Sequence, residues 1–352
     1  MKKWRLPLLV SAAALCLSLT GCLGQKGGDE LIRQGMEKLE SNDAAGALES
    51  FQAAREEGEE ALLIYRGEGL AYMAQARYPE AVTCFQAALE MTGSRMPETV
   101  KDLKLYLVSA LCRSGRYEET IELCKELLEA GPLTEAYYYM GAAYLDQGEE
   151  ELAKVQFDQA VALEPSDYAL YLQIYQKYDQ NNLSAVGDAY LQETLKLPAE
   201  SDEDRYHLGQ IYFYLEKYED AAAVLQEPME KRYLPALTLL GEVYLAQNDV
   251  ARAQSIYQNV RDEQGNSPQV LGGLALCAIK SGDYDGALSL IEQGLALEEE
   301  TGKQALRFNE IVAYEGKLDF STALVKAEAY VQLYPSDEQA QKELAFLRSR
   351  GQ

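Results

Sequence analysis

Any chemistry performed by this chain of 352 residues would have to come from one histidine, six cysteines and 57 acidic side chains. Zinc is ordinarily held by several His or Cys ligands, and calcium by oxygen ligands that alternate along a short loop. His207 is the only histidine in the sequence and has no such company. The acidic runs Glu56-Glu57-Gly58-Glu59-Glu60 and Glu298-Glu299-Glu300 lack the alternating Asp and Asn of a calcium loop and read as solvated surface. No Gly-rich phosphate loop follows a strand-like stretch, and there is no Gly-x-Ser-x-Gly elbow. The sequence therefore predicts no enzyme, no metal and no cofactor. Cys84, Cys112, Cys124 and Cys277 fall inside predicted helices, with Cys124 and Cys277 in or beside core positions, where Cys behaves as a small hydrophobe. A disulfide between Cys112 and Cys124 is conceivable across one hairpin in an oxidising compartment.

The elements that would carry these residues are short helices. From Tyr137 to Pro165, apolar or small residues (Met140, Gly141, Tyr144, Ala153, Phe157, Ala160) recur three and four apart in two runs broken by Gly148. That is the signature of two amphipathic helices joined by a turn. A small residue recurs along the chain at Ala47, Ala81, Thr120, Ala153, Gly187, Ala221, Ala253, Ala287 and Ala323, at intervals of 32 to 39 residues. Four positions after each stand Phe51, Phe85, Cys124, Phe157, Leu191, Leu225, Tyr257, Ile291 and Ala327, mostly large and apolar.

The order aromatic, Leu-Gly, Tyr, Ala, Phe, Ala, Pro over 34 residues resembles the tetratricopeptide repeat. Only the Leu before Gly141 is replaced, by Met140. Leu208-Gly209-Tyr212 and Leu240-Gly241-Tyr244 carry the first-helix piece in full. The resemblance covers residues 29–335 as nine repeats, and 336–352 read as a C-terminal capping helix with Ala340, Leu344 and Leu347 on one face. It is weakest in the fifth repeat, which lacks the first-helix Gly and has Gly187 in the Ala slot. The third is altered too, with Val108 in the Gly slot and extra residues near Met91–Pro97. The implied fold is all-α, a right-handed superhelical solenoid of about nine helix–turn–helix repeats. One helix pair buries too little to offset its ordering entropy, so such pairs are stable only when stacked. Pro228 falls where the second helix of the sixth repeat should continue, and predicts a break or kink near Glu227.

In this family the first helices line the concave face, and the resemblance places slots five, nine and twelve of each first helix there. Slot five holds Ile32, Arg66, Leu105, Tyr138, Leu172, Tyr206, Thr238, Gly272 and Phe308. The other slots add Leu70, Met73, Leu145, Gln210 and Phe213, with Tyr214 adjacent. Exposed aromatic and apolar residues in a concave surface mark binding sites. The expected partner-binding set is Arg66, Leu70, Tyr138, Leu145, Tyr206, Gln210, Phe213 and Tyr214. The paired Lys and Asn with which some family members clamp a C-terminal carboxylate are not in these slots.

The first 21 residues read as a signal peptide. Lys2, Lys3 and Arg5 precede a mainly apolar run from Leu6 to Leu19, too short for a comfortable membrane span. Leu19-Thr20-Gly21-Cys22 resembles the lipobox of bacterial lipoproteins, which implies a diacylglycerol on Cys22 and cleavage before it. Residues 22–28 then form a flexible tether. A formal net charge of −25 repels phosphate and anionic headgroups, so nucleic acid is not expected as a partner and attachment to a membrane would rest on lipid. Together these features predict a lipid-anchored protein on the extracytoplasmic face of the cell membrane. It would act as a protein-binding scaffold or adaptor of the cell envelope, holding a protein or peptide in its groove. A peptide-binding sensor or carrier is the alternative.

Overall fold

The structure is a computed structural model that describes residues 29–350 apart from 42, 93–95, 298–301 and 336. The expected signal peptide, Cys22 with the expected tether, and the run Glu298-Glu299-Glu300 lie outside the described residues. Those that are described form twenty helices and no strand. In chain order α1 (Glu30–Glu40) pairs with α2 (Ala44–Glu57), and α3 (Ala61–Ala74) precedes α4 (Tyr78–Glu90). Then come α5 (Pro97–Arg113) with α6 (Tyr117–Glu129), α7 (Thr134–Asp146) with α8 (Glu150–Leu163), and α9 (Tyr168–Gln180) with α10 (Ser184–Thr194). Next, α11 (Asp202–Tyr214) pairs with the short α12 (Tyr218–Val224) and α13 (Gln226–Glu230), and α14 (Leu234–Ala246) with α15 (Val250–Gln264). The last pairs are α16 (Pro268–Ser281) with α17 (Tyr284–Leu295) and α18 (Lys303–Gly316) with α19 (Phe320–Leu333), followed by α20 (Glu338–Arg350).

Local chemistry sets the helix ends. Asp43, Asp249, Asp283 and Asp319 each cap a second helix, accepting hydrogen bonds from the backbone N–H of Gly46 (2.8 Å), Arg252 (3.0 Å), Gly286 (2.9 Å) and Thr322 (3.1 Å). Each such cap is worth about 1 kcal/mol. Ser201 and Asp204 form a reciprocal capping box at the start of α11. The turn inside a pair needs one left-handed residue. Gly115, Gly148 and Gly282 supply it at no steric cost, whereas Asn182, Glu216, Asn248 and Leu318 adopt the same conformation with a side chain.

The register residues are the core. All nine members of the small-residue series are buried, and so are all nine that follow four positions later. A Cβ on Gly141 would stand 2.7 Å from the Phe157 ring, and one on Gly241 would stand 2.4 Å from the Tyr257 ring. Glycine here lets a first helix lie directly on the large side chain of its partner. The two altered repeats solve the same volume problem differently. In the third, Val108 replaces the glycine and the facing residue shrinks to Cys124, both fully buried in one cluster. In the fifth, Tyr175 occupies the glycine slot and Gly187 provides the room, so that a Cβ on Gly187 would meet Tyr175 at 3.0 Å. Cys84, Cys112, Cys124 and Cys277 are free and buried, so the conceivable Cys112–Cys124 bond is not formed.

The expected break near Pro228 occurs. The helix ends at Val224 and resumes at Gln226. Val224 is the residue whose carbonyl a proline at 228 would both clash with and leave without a donor.

The chain divides into two units: residues 78–265, holding α4 to α15, and the flanking segments with α1 to α3 and α16 to α20. Within the first unit α5, α7, α9, α11 and α14 form one row, each packed on the next. Within the other, α16 packs on α18, and α20 lays Ala340, Leu344 and Leu347 over a cluster with Phe308, Ile311 and Tyr330. This is the capping role expected of the last segment.

Candidate partner-binding surface

The row of first helices decides which expected binding residues reach the surface. Helices packed side by side cover the stripe nearest the neighbour. Ile32, Leu105, Leu172, Gly272 and Phe308 in slot five are therefore buried, which corrects the expectation that the whole slot lines an open face. Leu145 is corrected for the same reason. It is 2% exposed, in a cluster with Phe157, Tyr171 and Ile174. Arg66 and Leu70 are half-buried on α3, in a different unit from the other six. Tyr138 is half-buried on α7 and rests against Phe157 with ring centroids 5.8 Å apart, so it shares its surface with the core.

The remaining four, Tyr206, Gln210, Phe213 and Tyr214, come together on α11. Residues 206, 210 and 213 or 214 follow at helical spacing, one turn after another. Gln210 is buried and fixes its neighbours: its Nε2 donates to the Tyr206 hydroxyl at 3.1 Å, while its Oε1 lies 3.0 Å from His207 Nδ1. His207 is thus held inside a hydrogen-bonded cluster, with its other nitrogen 3.9 Å from Glu203. The Tyr206 ring meets Tyr233 edge-on at 5.9 Å, and Phe213 meets Tyr218 edge-on at 5.7 Å. Tyr214 leans on Tyr175 of α9 at 4.9 Å, and its hydroxyl accepts from Gln176 Nε2 at 3.4 Å. Two tyrosines are thereby immobilised by amides, each at the border between core and solvent.

The helix packed beside them, α14, carries a residue that sequence reasoning passed over. Glu242, on α14, occupies the same repeat position as Gln210 on α11, and that equivalence was the available signal. It is half-buried, and its Oε2 is shut from solvent with no hydrogen-bond partner among the described residues. Burial pushes its carboxyl up to about 8. Burial raises the Tyr206 phenol well above its ordinary value and the Tyr214 phenol to about 12; in both, the Glu242 charge adds to the rise. The carboxyl therefore lies within electrostatic reach of both phenols.

Models of the tetratricopeptide-repeat family match residues 32–95, 66–135, 134–167 and 244–307. Tetratricopeptide repeat protein 21A of mouse is 26% identical over 265 residues, covering 67% of this chain and 19% of that protein. The TPR repeat-containing protein YpiA of Bacillus subtilis is 22% identical over 226 residues, covering 64% of this chain and 53% of that protein. The chain thus spans about a fifth of one curated relative and about half of the other. Among solved structures, yeast Tom70 superposes with a TM-score of 0.49 at 15% identity, covering 92% of this chain and 81% of that one.

Proposed function

In a chain built of tetratricopeptide repeats, we propose, the work is done by a binding surface: the protein is a lipid-anchored scaffold or adaptor that holds a partner segment along the first helices α9, α11 and α14. The repeat fold supports a protein-interaction role in general. The single observation that carries the more specific reading is the α11 surface, where Tyr206 and Tyr214 are positioned by hydrogen bonds and kept at the edge of the core. Rigid aromatic residues with a polar tip are the residue type that dominates binding hot spots.

Anchoring through Cys22 belongs to the same proposal. It rests on the Leu-Thr-Gly-Cys sequence after an apolar run, and places the repeats outside the cytoplasmic membrane, held near the bilayer by a short tether. Among the described residues no helix is long and apolar enough to cross a membrane.

The test is site-specific photocrosslinking in the native membrane with the crosslinker at position 213, followed by identification of what is captured. The same crosslinker at Val155, 53% exposed on α8, is the control. A partner captured at 213 and not at 155 is expected; capture only at 155 would move the binding surface to the second helices. Replacing Cys22 by Ala should release the protein from the detergent phase or leave it unprocessed. Identical partitioning of the two proteins would end the lipid reading.

A further inference from the structure

The Glu242 carboxyl is an expensive thing to keep. An ionised carboxylate oxygen shut from solvent with no hydrogen-bond donor is disfavoured by several kcal/mol, and the neutral acid only trades that for a poorly satisfied hydroxyl. The equivalent positions in the two preceding repeats hold Gln176 and Gln210 and that in the following repeat holds Leu276, so the repeat fold does not need an acid there.

The molecule shows elsewhere what completes such an arrangement. Arg55 bonds Glu68 at 2.6 Å while its guanidinium covers the Tyr65 ring at 4.5 Å. Arg252 bonds Asp249 at 2.6 Å and covers the Tyr244 ring at 4.4 Å. In both places an acid and a tyrosine face share one cation, because the carboxylate satisfies its charge and the ring's negative face adds to the attraction. At Glu242 the acid is in place, with the Tyr206 and Tyr214 phenols within its electrostatic reach, and no described residue bonds its buried oxygen.

We propose that this position receives a basic side chain, lysine or arginine, from the protein segment bound along α11 and α14. Glu242 is its counter-ion, on the helix packed against the one that carries Tyr206 and Tyr214. The inference rests on the binding-surface reading given above and sharpens it. The net charge of −25 favours a basic partner at long range as well. It is also the converse of a carboxylate clamp, since the protein here contributes the acid and the partner the base.

Titration of the full chain with blocked tripeptides tests it: acetyl-Ala-Lys-Ala-amide, its arginine counterpart and the glutamine counterpart. Wild-type protein should bind the two basic peptides at millimolar concentration and at least tenfold more tightly than the glutamine peptide. Glu242→Gln should erase that preference with helicity retained and a melting temperature no lower than wild type, and Tyr206→Leu should weaken binding of the basic peptides severalfold. Equal affinity of wild type for lysine and glutamine peptides overturns the proposal, as does an unchanged preference in Glu242→Gln. The crosslink at position 213 separates the two readings. A partner still captured at full yield by Glu242→Gln leaves the binding surface standing and removes the basic side chain. A wild-type protein that captures nothing at 213 but prefers basic peptides removes the scaffold reading and keeps the cation site.

Discussion

At the scale of single residues, this protein is governed by volume and by charge that has nowhere to go. Glycine at 241 is required by the Tyr257 ring, which stands where a Cβ would be and whose hydroxyl donates to the Thr238 carbonyl at 3.0 Å. Gly241→Ala must displace that ring and break its hydrogen bond, so it should lower stability by about 1–3 kcal/mol, measured by urea denaturation. An alanine at Gly58, where a Cβ meets nothing, should be strained only by its left-handed backbone, at about 1 kcal/mol. Glu242 makes the electrostatic prediction. Its folded carboxyl is raised to about 8, above the value in the unfolded chain, so the folded state keeps a proton that the unfolded state releases. The associated stability is full below about pH 4 and is lost as pH rises toward 8. Tyr206 and Tyr214 of α11, whose phenols its charge raises, remain protonated throughout this range. Glu242→Gln has no proton to lose. It should therefore exceed wild type above pH 8 by roughly 1–3 kcal/mol, and the difference should shrink on acidification. Equal stability curves for the two proteins from pH 5 to pH 9 would show that the carboxyl is solvated.

At the scale of elements, the helices are short and owe their ends to a handful of residues. The turn before α19 forces Leu318 into a left-handed conformation (φ 62) with its side chain 73% exposed. Glycine fits that backbone without strain, and the leucine contributes little burial in exchange. Leu318→Gly should stabilise the protein by about 0.5–1 kcal/mol, seen as a higher melting temperature. Gly282→Ala at the corresponding turn before α17 (φ 82) should do the opposite by a similar amount. The division of the sixth second helix into α12 and α13 follows from a single ring at Pro228. Because that proline is buried, the shortened helix is part of the packing against α11 and α14.

At the scale of the whole molecule, a repeat array has to manage its ends. The α20 helix does so by covering Phe308, Ile311 and Tyr330 with three apolar side chains, and Asp337 ties it down by accepting from the Tyr330 hydroxyl at 2.6 Å. A chain ending at Asp337 should lose the α18–α19 pair first. It would melt in an early separate transition, because repeat stability is a sum of neighbour terms and the terminal term would be missing. A single unchanged transition would assign α20 no capping role. The sequence by itself determined the repeat period, the all-helical architecture, the break at Pro228 and the terminal cap. These are properties of spacing, of proline stereochemistry and of one apolar face, which act within some forty residues. Only the tertiary structure decided which residues reach the surface. Leu145 and five of the nine slot-five residues are covered because neighbouring first helices approach side by side, a distance no single repeat encodes. The exchange of glycine from the first to the second helix at Tyr175 and Gly187 was visible only as a weak repeat, since compensating volumes cancel across a contact and not along the chain. Glu242 was invisible for the same reason. A glutamate on a helix is ordinary, and its burial without a partner exists only once α14 has been laid beside α11.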